Sequence, residues 1–479
     1  MYIGLDLGTS GLKALLIDEA QKVVDEAHAA LDVQRPHPGW SEQRPADWVT
    51  AVSSTLDTLA SRQPLDKVRG IGLSGHMHGA TLLDKADNVL RPCILWNDTR
   101  SHAEAAELDA DPEFRAISGN IVFPGFTAPK LVWVARNEPE IFGKVAQVLL
   151  PKDYLRLWLT GDAVSDMSDA AGTSWLDVGA RDWSDTLLSK TGLDRARMPS
   201  LVEGSAVSGT VRSEIAERWG LAPDVVVAGG GGDNAASAVG VGAVTPGRGF
   251  VSLGTSGVLF ASTARYSPDA ASSVHTFCHA VPETWHQMGV ILSAADSLSW
   301  FARFTGQTPA DLTGKLGAVQ APGRTLFLPY LGGERTPHND ARIRGALIGL
   351  EHATDTEAGT RAVLEGVAFA LRDSLDALTA TGTHIDSLIA VGGGSRSAYW
   401  LSAIATALGL PVEVPEAGDF GAAFGAARLG LMAATGAGPE IAAPPAIARM
   451  VAPEAGLAQA FADAHGRYRQ TYKALKDLS

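Results

Sequence analysis

The sequence predicts an α/β protein of two similar domains, and three observations carry that prediction. A short phrase is written twice, as Leu7-Gly8-Thr9-Ser10-Gly11 and as Leu253-Gly254-Thr255-Ser256-Gly257. Each copy ends one strand-like apolar stretch (Tyr2 to Leu7, Phe250 to Leu253) and opens another (Leu12 to Ile17, Val258 to Ala261). That is the pattern of a β-hairpin whose glycine-rich turn brings backbone N–H groups close to an anion. The third observation is length: 479 residues allow two domains, each large enough to bury its own core. Only the first copy carries an acid, Asp6, where the second has Ser252. A duplicated fold with one charged copy fits a nucleotide shared between two turns and a metal held off-centre, the layout of a two-domain phosphotransferase.

The elements follow in chain order. Pro45 to Leu59 reads as a helix, with proline near its start and Trp48, Val49, Val52 and Leu56 at helical spacing. Val68 to Ser74 is a strand ending in Gly75-His76-Met77-His78-Gly79, and Ala80 to Leu83 completes an expected strand-turn-strand unit. Pro92 to Trp96 is a further short strand. Val225 to Ala228 is a buried strand followed by Gly229-Gly230-Gly231-Gly232-Asp233-Asn234 and a small-residue helix, Ala235 to Val241. Pro246 and its neighbouring glycines place the domain boundary around Val244 to Gly249, dividing the chain into 1–244 and 245–479. Thr356 to Leu378 is a long buried helix. Leu388 to Val391, the glycines 392–394 and the helix Tyr399 to Leu408 form a strand-turn-helix unit suited to a nucleotide or its phosphates. Gly436 to Pro453 reads as a surface connection, and Leu457 to Leu478 as a last helix.

Bulk properties exclude some classes. A formal charge of −14 argues against a nucleic-acid partner, and an anionic substrate would have to be held locally by backbone N–H groups, a divalent cation and a few basic side chains. The two cysteines, Cys93 and Cys278, are too widely spaced for a metal motif and read as a reduced pair. No leader and no run of 18 apolar residues is present, so a cytoplasmic protein without a membrane partner is expected.

Chemistry concentrates at a few positions. No GxxxxGK[ST] phrase occurs, so ATP would be held by a route other than a P-loop. Asp233 stands at the end of a buried strand, where α/β sheets place their sites, and an aspartate there can take a hydroxyl proton during phosphoryl transfer. Its alternative role is a helix N-cap; beside the repeated turn the catalytic reading is preferred. Asp6 inside an apolar strand fits a carboxylate near Mg²⁺, or one satisfied by N–H groups. Met77-His78 could line a sugar pocket, although a lone histidine is often structural. Arg335 in Glu334-Arg335-Thr336-Pro337-His338 reads as either a pocket residue or an exposed loop arginine. The cysteines read as buried apolar residues.

Taken together these residues resemble the FGGY family of carbohydrate kinases, within the actin, Hsp70 and hexokinase superfamily, and in particular its xylulose-phosphorylating members. The phrases that carry the resemblance are Arg35-Pro36-His37-Pro38, Gly75-His76-Met77-His78-Gly79-Ala80-Thr81, Leu95-Trp96-Asn97-Asp98, Leu150-Pro151-Lys152-Asp153-Tyr154, Ser165 to Thr173 and Gly125 to Trp133. A second family signature matches at Gly345 to Leu350 and departs at Ala358-Gly359. The resemblance implies two ribonuclease-H-like domains, each a mixed five-stranded sheet flanked by helices, closing over a deep cleft. It implies transfer of phosphate from MgATP to O5 of D-xylulose. Asp233 would be the general base and Asp6 the metal-associated acid; Met77, His78, Asp233 and Asn234 would contact the sugar. Gly8, Thr9, Ser10, Gly254, Thr255, Gly393 and Gly394 would hold MgATP, and a homodimer is suggested. The alternatives are a kinase for another ketopentose such as ribulose, or a non-catalytic sugar-responsive regulator, for which the chain has no evident DNA-binding or peptide-binding module.

Overall fold

The computed structural model of the chain describes residues 1–416 and 420–478. In the first half, β1 (Tyr2–Leu7), β2 (Gly11–Ile17), β3 (Val23–Ala30), α1 (Pro45–Arg62) and β4 (Gly70–Gly75) are followed by β5 (Val207–Thr210), β6 (Val226–Ala228), β7 (Gly231–Gly232) and α2 (Asp233–Val241). The second half holds β8 (Gly247–Leu253), β9 (Gly257–Thr263), β10 (His275–Cys278), β11 (Trp285–Ile291), α3 (Thr356–Ala380), β12 (Ile385–Val391), α4 (Ala398–Leu408), β13 (Val412–Pro415), α5 (Ala422–Thr435), β14 (Ile447–Val451) and α6 (Ala458–Leu475).

The repeated phrase marks a repeated topology. The first sheet runs β5-β6-β4-β1-β2-β3 and the second β10-β11-β9-β8-β12-β13-β14. Both contain the same five-strand core, β3-β2-β1-β4-β6 in one and β11-β9-β8-β12-β13 in the other. In each, the first two pairings are antiparallel and the next two parallel. Each sheet nevertheless has seven strands, not five. β5 and β7 extend the first, and β10 and β14 the second.

The elements form for local reasons. β1 and β4 are almost wholly buried in the middle of the sheet, β4 between parallel neighbours and β1 between antiparallel β2 and parallel β4. α1 has Pro45 in its first turn and buries Trp48, Val52, Leu56 and Leu59, one stripe at helical spacing. The Asp355 side chain caps α3 by accepting from the Ala358 N–H at 2.8 Å.

Three expectations are corrected. Thr81–Leu83 is a strand, but it pairs with Gln147–Leu149 and not with β4. The reason is His78, whose φ of +70° turns the chain out of the sheet instead of back along it. The stretch 436–453 is not simply a connection, because β14 pairs antiparallel with β13. β14 is a sheet-edge strand that buries little, so it carries no apolar alternation to read. The strand at Pro92 to Trp96 shrinks to Cys93–Ile94.

Packing does not follow sequence order. α5, from late in the chain, lies on the first sheet and against α2, with Ala423, Phe424, Ala427 and Leu431 covering Tyr2, Leu15 and Ile17. Glycines set that approach. A Cβ on Gly4 would stand 1.9 Å from the Ala423 carbonyl oxygen, on Gly72 1.8 Å from that of Ala426, and on Gly425 1.7 Å from that of Ala236. Another core joins residues of the first half, among them Phe114, Phe126 and Trp175, to Phe250, Phe260, Phe277 and Met288 of the second sheet. Cys93 and Cys278 are free and buried, as expected. Among the described residues no helix is long and apolar enough to cross a membrane.

Two glycine substitutions should therefore act with opposite sign. Gly425→Ala should lower stability by at least about 1–3 kcal/mol, because backbone and not a movable side chain blocks the added methyl. Gly466→Ala, in exposed α6 with nothing near the added carbon, should raise it by about 0.5–1 kcal/mol. Urea-unfolding midpoints of the two variants check both signs.

Candidate active site

Strand register brings the two predicted acids together. Ser74 of β4 lies opposite Asp6 of β1 on one side and Gly231 of β7 on the other; one residue on, Gly75 lies between Leu7 and Gly232. The glycine run after β6 is thus not an open loop, since its last two residues rejoin the sheet and deliver Asp233 to the same edge as Asp6. Asp233 is the first residue of α2, and the N-cap is Gly232, so Asp233 does not cap its helix. Its Oδ1 accepts from the Asn234 backbone N–H at 2.7 Å and from Asn234 Nδ2 at 2.9 Å. Among the described residues nothing donates to Oδ2.

Both carboxyls are shifted toward a working range. Asp6 is pushed up to about 6, by burial first and then by the Asp233 carboxylate, with Ser74 and Lys13 pulling the other way. Asp233 is raised by burial, against the two bonds from Asn234. Lys13 lies opposite Asp6 but is paired with Glu26 at 2.9 Å. Two half-buried acids that repel each other, with that lysine already engaged, form a donor set suited to a hard divalent cation. The residues present therefore fit Mg²⁺.

The predicted sugar residues sit on the same edge. Met77 packs on Gly232, where a Cβ would stand 2.8 Å from Met77 Cγ. His78 Nδ1 is 2.7 Å from the Gly172 carbonyl, which can only accept, so Nδ1 carries the proton and Nε2 is an acceptor. The ring is neutral: burial first, then the Lys130 ammonium, push it down to about 3. Phe126 stacks on it with centroids 4.5 Å apart. Lys130 is fully buried, and its Nζ donates to the carbonyls of His78 (2.8 Å) and Gly125 (2.5 Å), fixing the turn.

Both repeated turns have their carbonyls tied down. The Thr9 carbonyl accepts from Gln43 Nε2 (2.8 Å), the Ser10 carbonyl from the Leu31 N–H (3.0 Å), and Thr9 Oγ1 from Trp96 Nε1 (2.9 Å). In the second turn the Gly254 and Thr255 carbonyls accept from Ala295 and Ala294, both at 2.8 Å. Gly8 N–H closes its own turn onto Gly11. The N–H groups of Thr9, Ser10, Thr255 and Ser256 find no acceptor among the described residues, which is the polarity an anion needs. Gly392 and Gly394 abut the second turn: a Cβ on either would lie within 2.9 Å of Leu253. A cavity of about 390 Å³ lies between the end of β12 with its following glycine and α2, lined by Ser237, Val241, Val391, Gly392, Ser395 and Phe420 among others. That volume falls in the range of small-molecule sites.

Sequence reading missed Ser237 and Val241, although they lie four and eight residues after Asp233, on one face of α2. It also missed what holds the glycine turn. Lys152, Asp153, Arg156, Asp166 and Asp169 are all completely buried. Lys152 Nζ lies 2.5, 2.7 and 3.2 Å from Asp153, Asp166 and Asp169, and Arg156 pairs with Asp153 at 2.7 Å. Arg156 also donates to the Gly229 carbonyl, while Ser168 Oγ donates to Asp166 and accepts from the Gly232 N–H at 3.1 Å. Charged residues inside the apolar stretch Leu149 to Leu155 were the available signal.

Residues 1–240 match the N-terminal domain of the FGGY family of carbohydrate kinases, and 249–434 its C-terminal domain. The chain belongs to this family, and it is an enzyme that phosphorylates a sugar. It is 50% identical over 437 residues to the xylulose kinase of Escherichia coli K12, spanning 91% of this chain and 90% of that one. A solved structure from Brucella ovis, titled a xyloylose kinase, is 65% identical with a TM-score of 0.99 and full coverage of both chains. A gluconate kinase structure from Lactobacillus acidophilus shares the fold at 25% identity, with a TM-score of 0.92 and coverage of 99% and 98%.

Removing the cation from the buried cluster should expose its role. Lys152→Met leaves Asp166 and Asp153 short of positive charge and should lower stability by about 3–5 kcal/mol, whereas the exposed pair Arg324–Glu351 should contribute no more than about 1 kcal/mol. Denaturant titration of Lys152→Met and Arg324→Met checks the contrast.

Proposed function

We propose that the protein transfers the γ-phosphoryl group of ATP to O5 of D-xylulose, giving D-xylulose 5-phosphate and ADP. The names of the most similar relatives support the sugar, since the family fold also serves a gluconate kinase and does not decide it. One observation carries the chemistry: Asp233 Oδ2 is left open beside Asp6 while Asn234 fixes the other oxygen.

In this reading residues 1–244 and 245–479 are the two domains, and they share the nucleotide. Met77 and His78 place the sugar against the first, His78 Nε2 accepting from a sugar hydroxyl. Asp233 Oδ2 accepts the O5 proton as O5 attacks the γ-phosphorus in line and the bond to the ADP oxygen breaks. N–H groups of the turns at Gly8, Thr9 and Ser10, and at Gly254 and Thr255, offset charge on the phosphoryl oxygens. Gly393 and Gly394 let the nucleotide approach the second turn closely. Asp6 would hold Mg²⁺, which when bound neutralises charge on the phosphate oxygens. Asn234 keeps the base in its orientation.

The first test is ADP release from MgATP with D-xylulose, D-ribulose, L-ribulose, L-xylulose, glycerol and gluconate. Stimulation by D-xylulose alone is expected; stimulation by another sugar keeps the kinase and replaces the substrate. Asp233→Ala should lower kcat by about 10²–10⁴-fold with the fold retained. Because the base must be ionised and both acids are raised, the low-pH limb of kcat/KM should lie above the ordinary carboxylate range. Asp6→Asn removes the like charge, so the low-pH limb should move to lower pH; a limb that stays in place would detach it from this pair.

A further inference from the structure

We propose that Arg335, from the second half of the chain, is a sugar-binding residue that donates to the C2 carbonyl oxygen of an open-chain ketose and so selects a ketopentose over the corresponding pentitol. The proposal rests on the ketopentose kinase reading above. Its observations are independent of Asp6 and Asp233.

Arg335 is a cation with donors to spare. Its guanidinium lies over the Phe123 ring at 4.4 Å, and its Nη1 has a single long contact, 3.5 Å to His275 Nε2. Among the described residues no carboxylate lies within ion-pair distance. The neighbouring Glu334 does not neutralise it, because Glu334 Oε1 is occupied by the N–H groups of Leu292 (2.9 Å) and Arg335 itself (2.8 Å). Glu334 is pushed up to about 8, chiefly by burial, so it resists ionising. Burial pushes the guanidinium down to about 10. Five N–H donors in a half-buried fork with no carboxylate partner among the described residues call for an acceptor.

The fork is also beside the sugar residues. Phe123 packs on Phe126 (5.5 Å), Phe126 stacks on His78, and Phe123 and Phe126 both touch His275 at 5.3 and 5.9 Å. The positive charge of Arg335 depresses the basicity of both His78 and His275. Thr336 anchors the loop, its hydroxyl donating to the Ser273 carbonyl at 3.0 Å and accepting from the Val290 N–H at 3.0 Å. The Arg335 loop is therefore fixed on β10 and β11 while its side chain reaches the pocket wall formed by the first half.

The substrate chemistry supplies the match. In a ketopentose, ring closure to a furanose uses O5, so an O5 that is free to attack phosphorus belongs to the open chain. That form presents a C2 carbonyl, its one group that accepts and cannot donate. His78 Nε2 accepts only, and Arg335 donates only. Together they read a hydroxyl and a carbonyl, and reduction to a pentitol turns the carbonyl into a hydroxyl that meets the cation less well.

The experiment compares kcat/KM for D-xylulose with that for xylitol and D-arabitol, the two pentitols formed by reducing its carbonyl, in wild type, Arg335→Gln and Arg335→Lys. Arg335→Gln should lose about 10- to 100-fold on D-xylulose, mostly in KM, and less than about threefold on the pentitols. Arg335→Lys, still a donor and a cation, should recover part of the loss. Residual pentitol turnover shows that each variant is folded. An equal loss on ketose and pentitols, or no loss on either, overturns the proposal while the substrate reading stands. A wild type that ignores D-xylulose and uses only polyols or sugar acids fails the substrate reading and this proposal together.

Discussion

Two cations and three carboxylates, none of them exposed, are packed beneath the turn that carries Asp233. Burial alone would strip the charge from Lys152, but the three surrounding carboxylates outweigh it and hold it ionised. Burial pushes the Asp169 carboxyl well above its usual range, with Lys152 opposing. Isolated charges at this depth would carry a desolvation penalty of several kcal/mol each, so the group persists only as a complete set. Its outward bonds run to Gly229 and, through Ser168, to Gly232. The glycines give that turn its freedom, and the cluster takes the freedom away.

The wall around His78, where the sugar is proposed to bind, instead holds its histidines neutral, His78 and His275 both being pushed down by burial first. His78 is fixed as an acceptor because Gly172 takes its one proton and Lys130 holds its backbone. Lys130 itself is pushed down to about 7 by burial. Aromatic rings from Phe123, Phe126 and Phe277 close the wall around it. A dry wall strengthens each remaining polar contact, so a few well-placed donors and acceptors can tell one sugar from another. In the proposed reading the phosphates would instead meet backbone N–H groups, which need no counter-ion. That suits a chain whose net charge of −14 would repel a polyphosphate.

Much of the plan was legible because it is local. The two hairpins, the helix after Pro45 and the helix capped by Asp355 each follow from a few neighbouring residues, and the structure has them within a few residues of the expected ends. Asp6 and Asp233 stood out as carboxylates in apolar or glycine-rich surroundings. What failed was pairing. The stretch after Gly79 looked like the return arm of a hairpin, yet its partner, Gln147–Leu149, is distant in the chain. β14 was invisible because an edge strand that buries little has no pattern to show.

The sequence alone determined that two copies of one strand-turn-strand unit exist, which copy bears an acid, and which strand ends in the glycine turn, since each is written in contiguous residues. Only the tertiary structure decided that β7 rejoins β4 and so sets Asp233 beside Asp6. It alone decided that α5 crosses to the first sheet, that Lys152 gathers three aspartates, and that Arg335 stands over Phe123. Apart from Lys152 and its chain neighbour Asp153, those are contacts between residues from about a dozen to about 400 positions apart, and their energy depends on burial and register that no local stretch encodes.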